Sequence, residues 1–227
     1  MKEVTLRAGA REAYLIEEPL AAAIGAGLPV AEPQASMVVD IGGGTTEVAV
    51  ISLGGMVVSR SLRVGGYDLD EAIIRYTRVN KNLSIGQQTA EQAKIALGTA
   101  LPADREDEFE VRGREGHSGM IKAATLTTSD VHQAISRPLA QIMTVVVHAL
   151  EATPPELAAD LAQDGITLAG GGALLTNLDV RLRAETKIPA QIADSPLTCV
   201  ATGAEHRLEH LDQLRPATRA QGSHPRD

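Results

Sequence analysis

The stretch Ser36-Met-Val-Val-Asp-Ile-Gly-Gly-Gly-Thr-Thr-Glu-Val-Ala-Val-Ile-Ser52 holds two apolar runs hinged on three glycines. Met37–Ile41 reads as a buried strand, Gly42–Thr46 as a turn, and Glu47–Ile51 as a second strand. Gly54-Gly55 then signals a hairpin, and Met56–Val64 reads as a third strand. Tight turns leave no room for a helix between these strands, so an antiparallel meander is expected.

The pattern recurs far downstream. Ile166-Thr-Leu-Ala169 is a short strand followed by Gly170-Gly171-Gly172. Around these cores, helical patterning is read over 3–28, 68–79, 89–97, 130–151, 156–163, 173–185 and 196–214. Pro19 and Pro196 stand at helix starts, and Thr128 or Ser129 is the expected cap of the long helix. Phe109–Val111, Lys122–Leu126 and Ala190–Ala193 complete the strands. Strands mixed with helices predict an α/β fold with mixed sheets flanked by helices.

Each glycine triplet ends an apolar strand. Three residues without Cβ let backbone N–H groups crowd around an anion, and phosphate is the usual one. Gly-x-Gly-x-x-Gly fails twice, since Glu47 and Leu175 stand where the last glycine would be. No glycine is followed by lysine, so a Walker loop is excluded as well. Asp40 precedes the first triplet and Thr45-Thr46 follow it. A carboxylate beside a phosphate cradle is placed to hold Mg2+, directly or through water. Such a site promotes phosphoryl transfer by positioning and charge neutralisation.

The chain has 227 residues, a 44% apolar share and a 2% aromatic share, with three Tyr, one Phe and no Trp. A core this poor in rings must be built from Ala, Val, Leu and Ile. It also lacks the stacking platforms of single-strand nucleic-acid binders. The net charge of −8 removes the basic surface that DNA binding needs. One cysteine, Cys199, excludes a disulfide framework, suits a reducing compartment, and sits in an apolar run where core is the expectation. No segment reaches the roughly 20 apolar residues of a membrane span, and residues 1–15 lack a signal-peptide core.

Five segments carry a resemblance: residues 15–27 around Glu18-Pro19, residues 36–52 with the first triplet, Glu108–Arg114, Leu168–Leu175 and Pro196–Ala201. In this order they resemble the MreB family of rod shape-determining bacterial actins, within the actin, heat-shock-chaperone and sugar-kinase superfamily. The Glu-Val-Arg-Gly-Arg and Leu-Thr-Cys-Val segments point to the bacterial actins within it. The resemblance implies an actin-like (ribonuclease H-like) ATPase fold that binds ATP and Mg2+. It implies that Glu18 orients the attacking water with help from Thr45, and that Asp40 serves the metal, through water. The amides of Gly42, Gly43, Gly44, Thr45 and Thr46 would hold the β- and γ-phosphates. Glu91 and Lys94 would contact the ribose, although alone they read as an exposed helix pair. Gly170, Gly171 and Gly172 would flank the adenosine. Implied partners are further copies of the protein in filaments and membrane-anchored cell-shape and wall-synthesis proteins. The implied location is the cytoplasmic face of the membrane, which this chain would meet only indirectly, with no nucleic acid involved.

The resemblance also implies that only the C-terminal part of the fold is present. The family begins with another phosphate loop, an Asp-x-Gly-Thr hairpin, and this chain starts after it. The expected division is 1–30 with 196–214 as a remnant of the first large subdomain, 31–64 with 127–195 as the second, 65–126 as a small insertion, and 215–227 as a flexible tail. A non-hydrolysing interaction module is the alternative reading, and apolar surface is expected where the missing half would sit. The family's Gly-Gly-Asp appears here as Gly65-Gly66-Tyr67-Asp68, with its acidic residue displaced by one. Two literal motifs are set aside. Asn82-Leu-Ser84 matches a glycosylation triplet without a secretory route. His206-Arg-Leu-Glu-His210 matches an inverted zinc-protease pattern but lacks a downstream third ligand.

Overall fold

The computed structural model describes residues 2–209. In chain order the helices are α1 (Lys2–Arg7), α2 (Glu18–Gly25), α3 (Gly66–Asn80), α4 (Gln87–Leu97), α5 (Thr128–Glu151), α6 (Pro155–Asp164), α7 (Leu178–Thr186) and α8 (Cys199–Glu209). The strands are β1 (Ser36–Ile41), β2 (Thr46–Ser52), β3 (Gly55–Leu62), β4 (Leu83–Ser84), β5 (Glu108–Glu115), β6 (Ile121–Thr127), β7 (Ile166–Ala169) and β8 (Ala190–Ile192). The tail 215–227 and any continuation of α8 to residue 214 lie outside the described residues.

Five strands form one sheet in the order β3-β2-β1-β7-β8, and β4-β5-β6 form a second. The expected meander is present: β1 pairs antiparallel with β2, and β2 with β3. The hairpin between β2 and β3 turns through Leu53 and Gly54, both at positive φ (51° and 74°), which matches the twist of the paired strands. β1 and β7 run parallel, with Asp40 opposite Ala169. Parallel pairing puts both carboxyl ends at one edge, so the two glycine triplets leave the sheet side by side.

Alternation along β1 sorts its side chains. Met37, Val39 and Ile41 join a core cluster with Val48, Val50 and the buried face of α5: Val131, Ile135, Leu139, Ile142 and Val146. Val38, Ala49 and Ile51 join Leu20, Ala22, Ala23 and Cys199 beneath α2 and α8. Asp40 shares this second face. Aliphatic side chains fill both layers, and Cys199 is buried as expected. α2 and α8 meet through glycine: a methyl group on Gly203 would lie 1.8 Å from the Ala21 carbonyl oxygen. Close backbone contact of this kind substitutes for bulky interdigitation.

Several sequence expectations need correction. The helix read over 3–28 is two helices, because Gly9 takes a φ of +101° and Glu17 is extended as the N-cap of α2. Thr127, one residue earlier than expected, caps α5: its hydroxyl accepts from Asp130 N at 3.2 Å, while Asp130 Oδ2 accepts from Thr127 N at 3.1 Å. Thr128 and Ser129 instead bond Asp107 and Glu106 in the preceding loop. The helix read from 173 to 185 divides into a 3-10 turn, Gly171–Leu174, and α7. Between them the Thr176 carbonyl accepts from Ala100 N at 2.8 Å, which requires extended chain there. Pro196 stands in a turn, and α8 begins only at Cys199. β4 was not anticipated; it pairs with β5 and occupies the Asn82–Ser84 triplet.

No described helix is long and apolar enough to cross a membrane. Apolar side chains do remain exposed beside α2 and α8, with Leu15 71% and Leu208 54% accessible. They line an open groove with Tyr14, Ile16, Leu20 and Arg207.

Candidate nucleotide site

The loop after β1 is closed by its own backbone. Gly42 N donates to Thr45 O at 2.9 Å. Two further bonds tie the loop to the start of α3: Gly66 N donates to Gly42 O at 2.9 Å, and Tyr67 N to Gly43 O at 2.7 Å. Thr46 turns its hydroxyl inward onto Val64 O at 2.8 Å. Among the described residues, no acceptor in the protein takes the N–H groups of Gly43, Gly44 or Thr45. Successive unmatched amides are the donor set that an anion-binding loop needs.

Asp40 lies just beneath this loop. It is buried, and its carboxyl is pushed up to about 6, first by burial and then by the neighbouring charges of Glu18 and Glu47. Glu18 opens α2, so this helix start brings a second carboxylate to the same place. Gly170, at a φ of +78°, packs directly on Asp40: a Cβ there would lie 2.4 Å from Asp40 Oδ1. Its N–H is committed to Pro196 O at 2.8 Å. The second triplet thus serves first to let β7's loop pass over the Asp40 carboxylate.

A cleft of about 400 Å³ opens between the two loops. Gly42, Gly43, Gly171, Gly172, Glu91 and Lys94 all line it. Glu18, Asp40, Gly44, Thr45, Thr46 and Gly170 lie outside that lining. Sequence reasoning missed Tyr67, Ile95 and Leu197, which also line the cleft. Tyr67 follows the Gly65-Gly66 pair, and that adjacency was the available signal.

Lys94 has a structural engagement that spacing did not show. Its Nζ lies 2.8 Å from Oδ1 of Asp70 and donates to Gly66 O at 3.2 Å. Asp70 is fully buried on α3, and burial raises its pKa despite the lysine. Lys94 therefore braces Gly66, the residue that holds the first glycine loop.

The carboxylates of Asp40, Glu18 and Glu47 repel one another, and a cation relieves that repulsion. Among the described residues no three His, Cys, Asp or Glu side chains converge closely enough to chelate a metal directly. The residues therefore fit an ion held through water and phosphate oxygens, which suits Mg2+. They do not support a zinc site, and His210 of the His-x-x-Glu-His motif lies outside the described residues.

The raised Asp40 pKa has a sign that can be tested. The folded state holds this proton more tightly than the unfolded chain does. Ionised Asp40 therefore destabilises the fold above pH about 6, and the penalty vanishes below the ordinary value of 3.8. Asp40→Asn is expected to melt higher than the parent at pH 8, by up to on the order of 3 kcal/mol. Melts from pH 8 to pH 4 should show the gap closing, and a gap independent of pH would exclude this account.

A model of the MreB/Mbl protein family matches residues 1–216. The chain belongs to the MreB/Mbl family. It is 54% identical over 212 residues to the cell shape-determining protein MreB of Escherichia coli K12, covering 93% of this chain and 61% of that protein. It is 42% identical to the cell shape-determining protein Mbl of Bacillus subtilis, covering 94% of this chain and 64% of that one. The chain thus spans about three-fifths of the length of these relatives. Among solved structures, MreB5 of Spiroplasma citri bound to ADP superposes with a TM-score of 0.90 at 37% identity, over 94% of this chain and 65% of that one. The same protein bound to AMPPNP matches equally well. The MamK double helical filament matches at 0.76 and 21% identity, over 91% of this chain and 62% of that one, which shares the fold. The fold is actin-like.

Proposed function

We propose that this chain supplies an ATP-binding wall of an MreB-type cytoskeletal protein. The supporting observation is the parallel pairing of Asp40 with Ala169, which sets both glycine loops around one cleft. The S. citri relative bound to ADP or AMPPNP adds support at 37% identity. In this reading Gly43, Gly44 and Thr45 amides take the β- and γ-phosphates. Glu91 and Lys94 face the ribose, and Gly171 and Gly172 flank the adenosine. Asp40 holds waters of Mg2+, which neutralises phosphate charge when bound. Glu18 orients the attacking water, with Thr45 beside it.

Assembly with further copies into filaments at the inner face of the membrane, alongside membrane-anchored cell-shape and wall-synthesis proteins, completes the proposal. So does the division at residues 30, 64, 126 and 195. Titration calorimetry of the chain with ATP and Mg2+ tests the core of it. A saturable signal at micromolar nucleotide is expected. No heat at high micromolar ATP would leave an interaction module without a working site.

A further inference from the structure

The chain has three tyrosines. The Tyr14 hydroxyl bonds Glu12 at 2.6 Å, and that of Tyr76 bonds Asp130 at 2.5 Å. The Tyr67 hydroxyl has no partner among the described residues. Yet Tyr67 is the one set on the phosphate loop. Its backbone N–H holds Gly43 O at 2.7 Å. Its ring lies so close that a methyl group on Gly43 would meet ring carbons at 2.9 Å and the hydroxyl oxygen at 3.3 Å. The side chain is 57% exposed and lines the cleft with Gly42 and Gly43.

The neighbouring carboxylate does not compete for this place. Asp68 Oδ2 accepts from Gly65 N at 2.9 Å and so caps the start of α3. The cleft therefore presents a neutral O–H donor at the position where the resemblance sets an acidic residue.

We propose that Tyr67 is a nucleotide-binding residue whose hydroxyl donates a hydrogen bond to a phosphate oxygen of the bound nucleotide, completing the donor set of Gly43, Gly44 and Thr45. The inference rests on the nucleotide reading above. The phenol sits beside Gly43, the first of the three unmatched amides, so one phosphate group can bridge them. A donor aimed at a charged oxygen in a half-enclosed site is stronger than a neutral pair.

The test uses the full chain, with ADP and with ATP plus Mg2+ as probes and adenosine as the phosphate-free control. Tyr67→Phe keeps the ring and removes the hydroxyl. It is expected to weaken ADP and ATP roughly ten-fold, to leave adenosine unchanged, and to melt as the parent does without ligand. Because the chain lacks Trp, tyrosine emission reports the event. Nucleotide should alter parent emission more than that of Tyr67→Phe. Gly43→Ala, which pushes the ring aside, should reproduce the loss. Parent binding with undiminished Tyr67→Phe affinity overturns the role of Tyr67 and leaves the nucleotide reading standing. No binding by the parent overturns both. If both variants unfold, Tyr67 is structural and the proposal fails.

Discussion

Lys94→Met is expected to destabilise the protein by about 3–5 kcal/mol, because it leaves a buried carboxylate unpaired. Asp70 is fully buried and Lys94 Nζ, at 2.8 Å, is its charge partner. Burial already holds the Asp70 carboxyl above its usual value, and the lysine holds it down. Removing the lysine lets it rise further. The variant's defect should then be largest at pH 8 and shrink on acidification, as Asp70 takes up a proton and its burial penalty falls. Adding Asp70→Leu should recover most of the stability, since a matched apolar pair removes the orphan charge. Urea midpoints at pH 8 and pH 5 decide the matter. A Lys94→Met midpoint equal to the parent's at pH 8 would refute the brace. The same substitution loosens Gly66, which clamps Gly42, so nucleotide affinity should fall along with stability.

Glu18→Ala should act on turnover and spare binding. Glu18 is exposed at the first position of α2, outside the cleft lining, and its charge is felt at Asp40. In the proposed reading, a carboxylate placed there would orient water toward the terminal phosphate without holding the nucleotide itself. Loss of a positioned proton acceptor lowers rates by about 10²-fold or more. ATP affinity should shift by less than about three-fold, because the amide cradle is untouched. The assay belongs in a polypeptide completed to the family's full length, with phosphate release and nucleotide affinity measured on the same sample. Unchanged hydrolysis would remove Glu18 from the mechanism. A secondary effect follows from charge: Asp40 loses one of the neighbours that raise its pKa, so its titration should move down.

The parts of this fold that sequence made legible are those with local causes. The β1–turn–β2 unit declares itself by alternation and by three glycines, and Asp40 is fixed by its place at the end of β1. The face of α5 follows from spacing alone. What escaped has non-local causes. Thr176 is drawn into extended chain by Ala100, and no pattern within 173–185 reveals a bond to a residue so far away. β4 is two residues long and exists because β5 lies alongside. Gly9 broke an apparently continuous helical period through its own backbone angle, while the surrounding composition still favoured helix. In the site, the glycine loops were legible and their meeting was not, since pairing between β1 and β7 is a tertiary fact. Lys94 likewise looked like an exposed partner of Glu91, because its contact with Asp70 joins two helices.

The pairing of Asp40 with Ala169 also sets an order in time. During synthesis β1, β2 and β3 leave the ribosome long before β7 exists. Their meander can form early, since its contacts are local. The Gly43–Thr45 loop lies within that early segment, but the far wall of the cleft, with Gly171 and Gly172, comes only after most of the chain has been made. Nucleotide therefore cannot guide the first half of folding. Under the proposed reading it would stabilise only a chain that has closed the long loop between the two strands, by RT ln(1 + [L]/Kd). If the proposed site binds nucleotide, binding would act as a late checkpoint on synthesis, favouring chains whose β7 has docked over those still waiting for it.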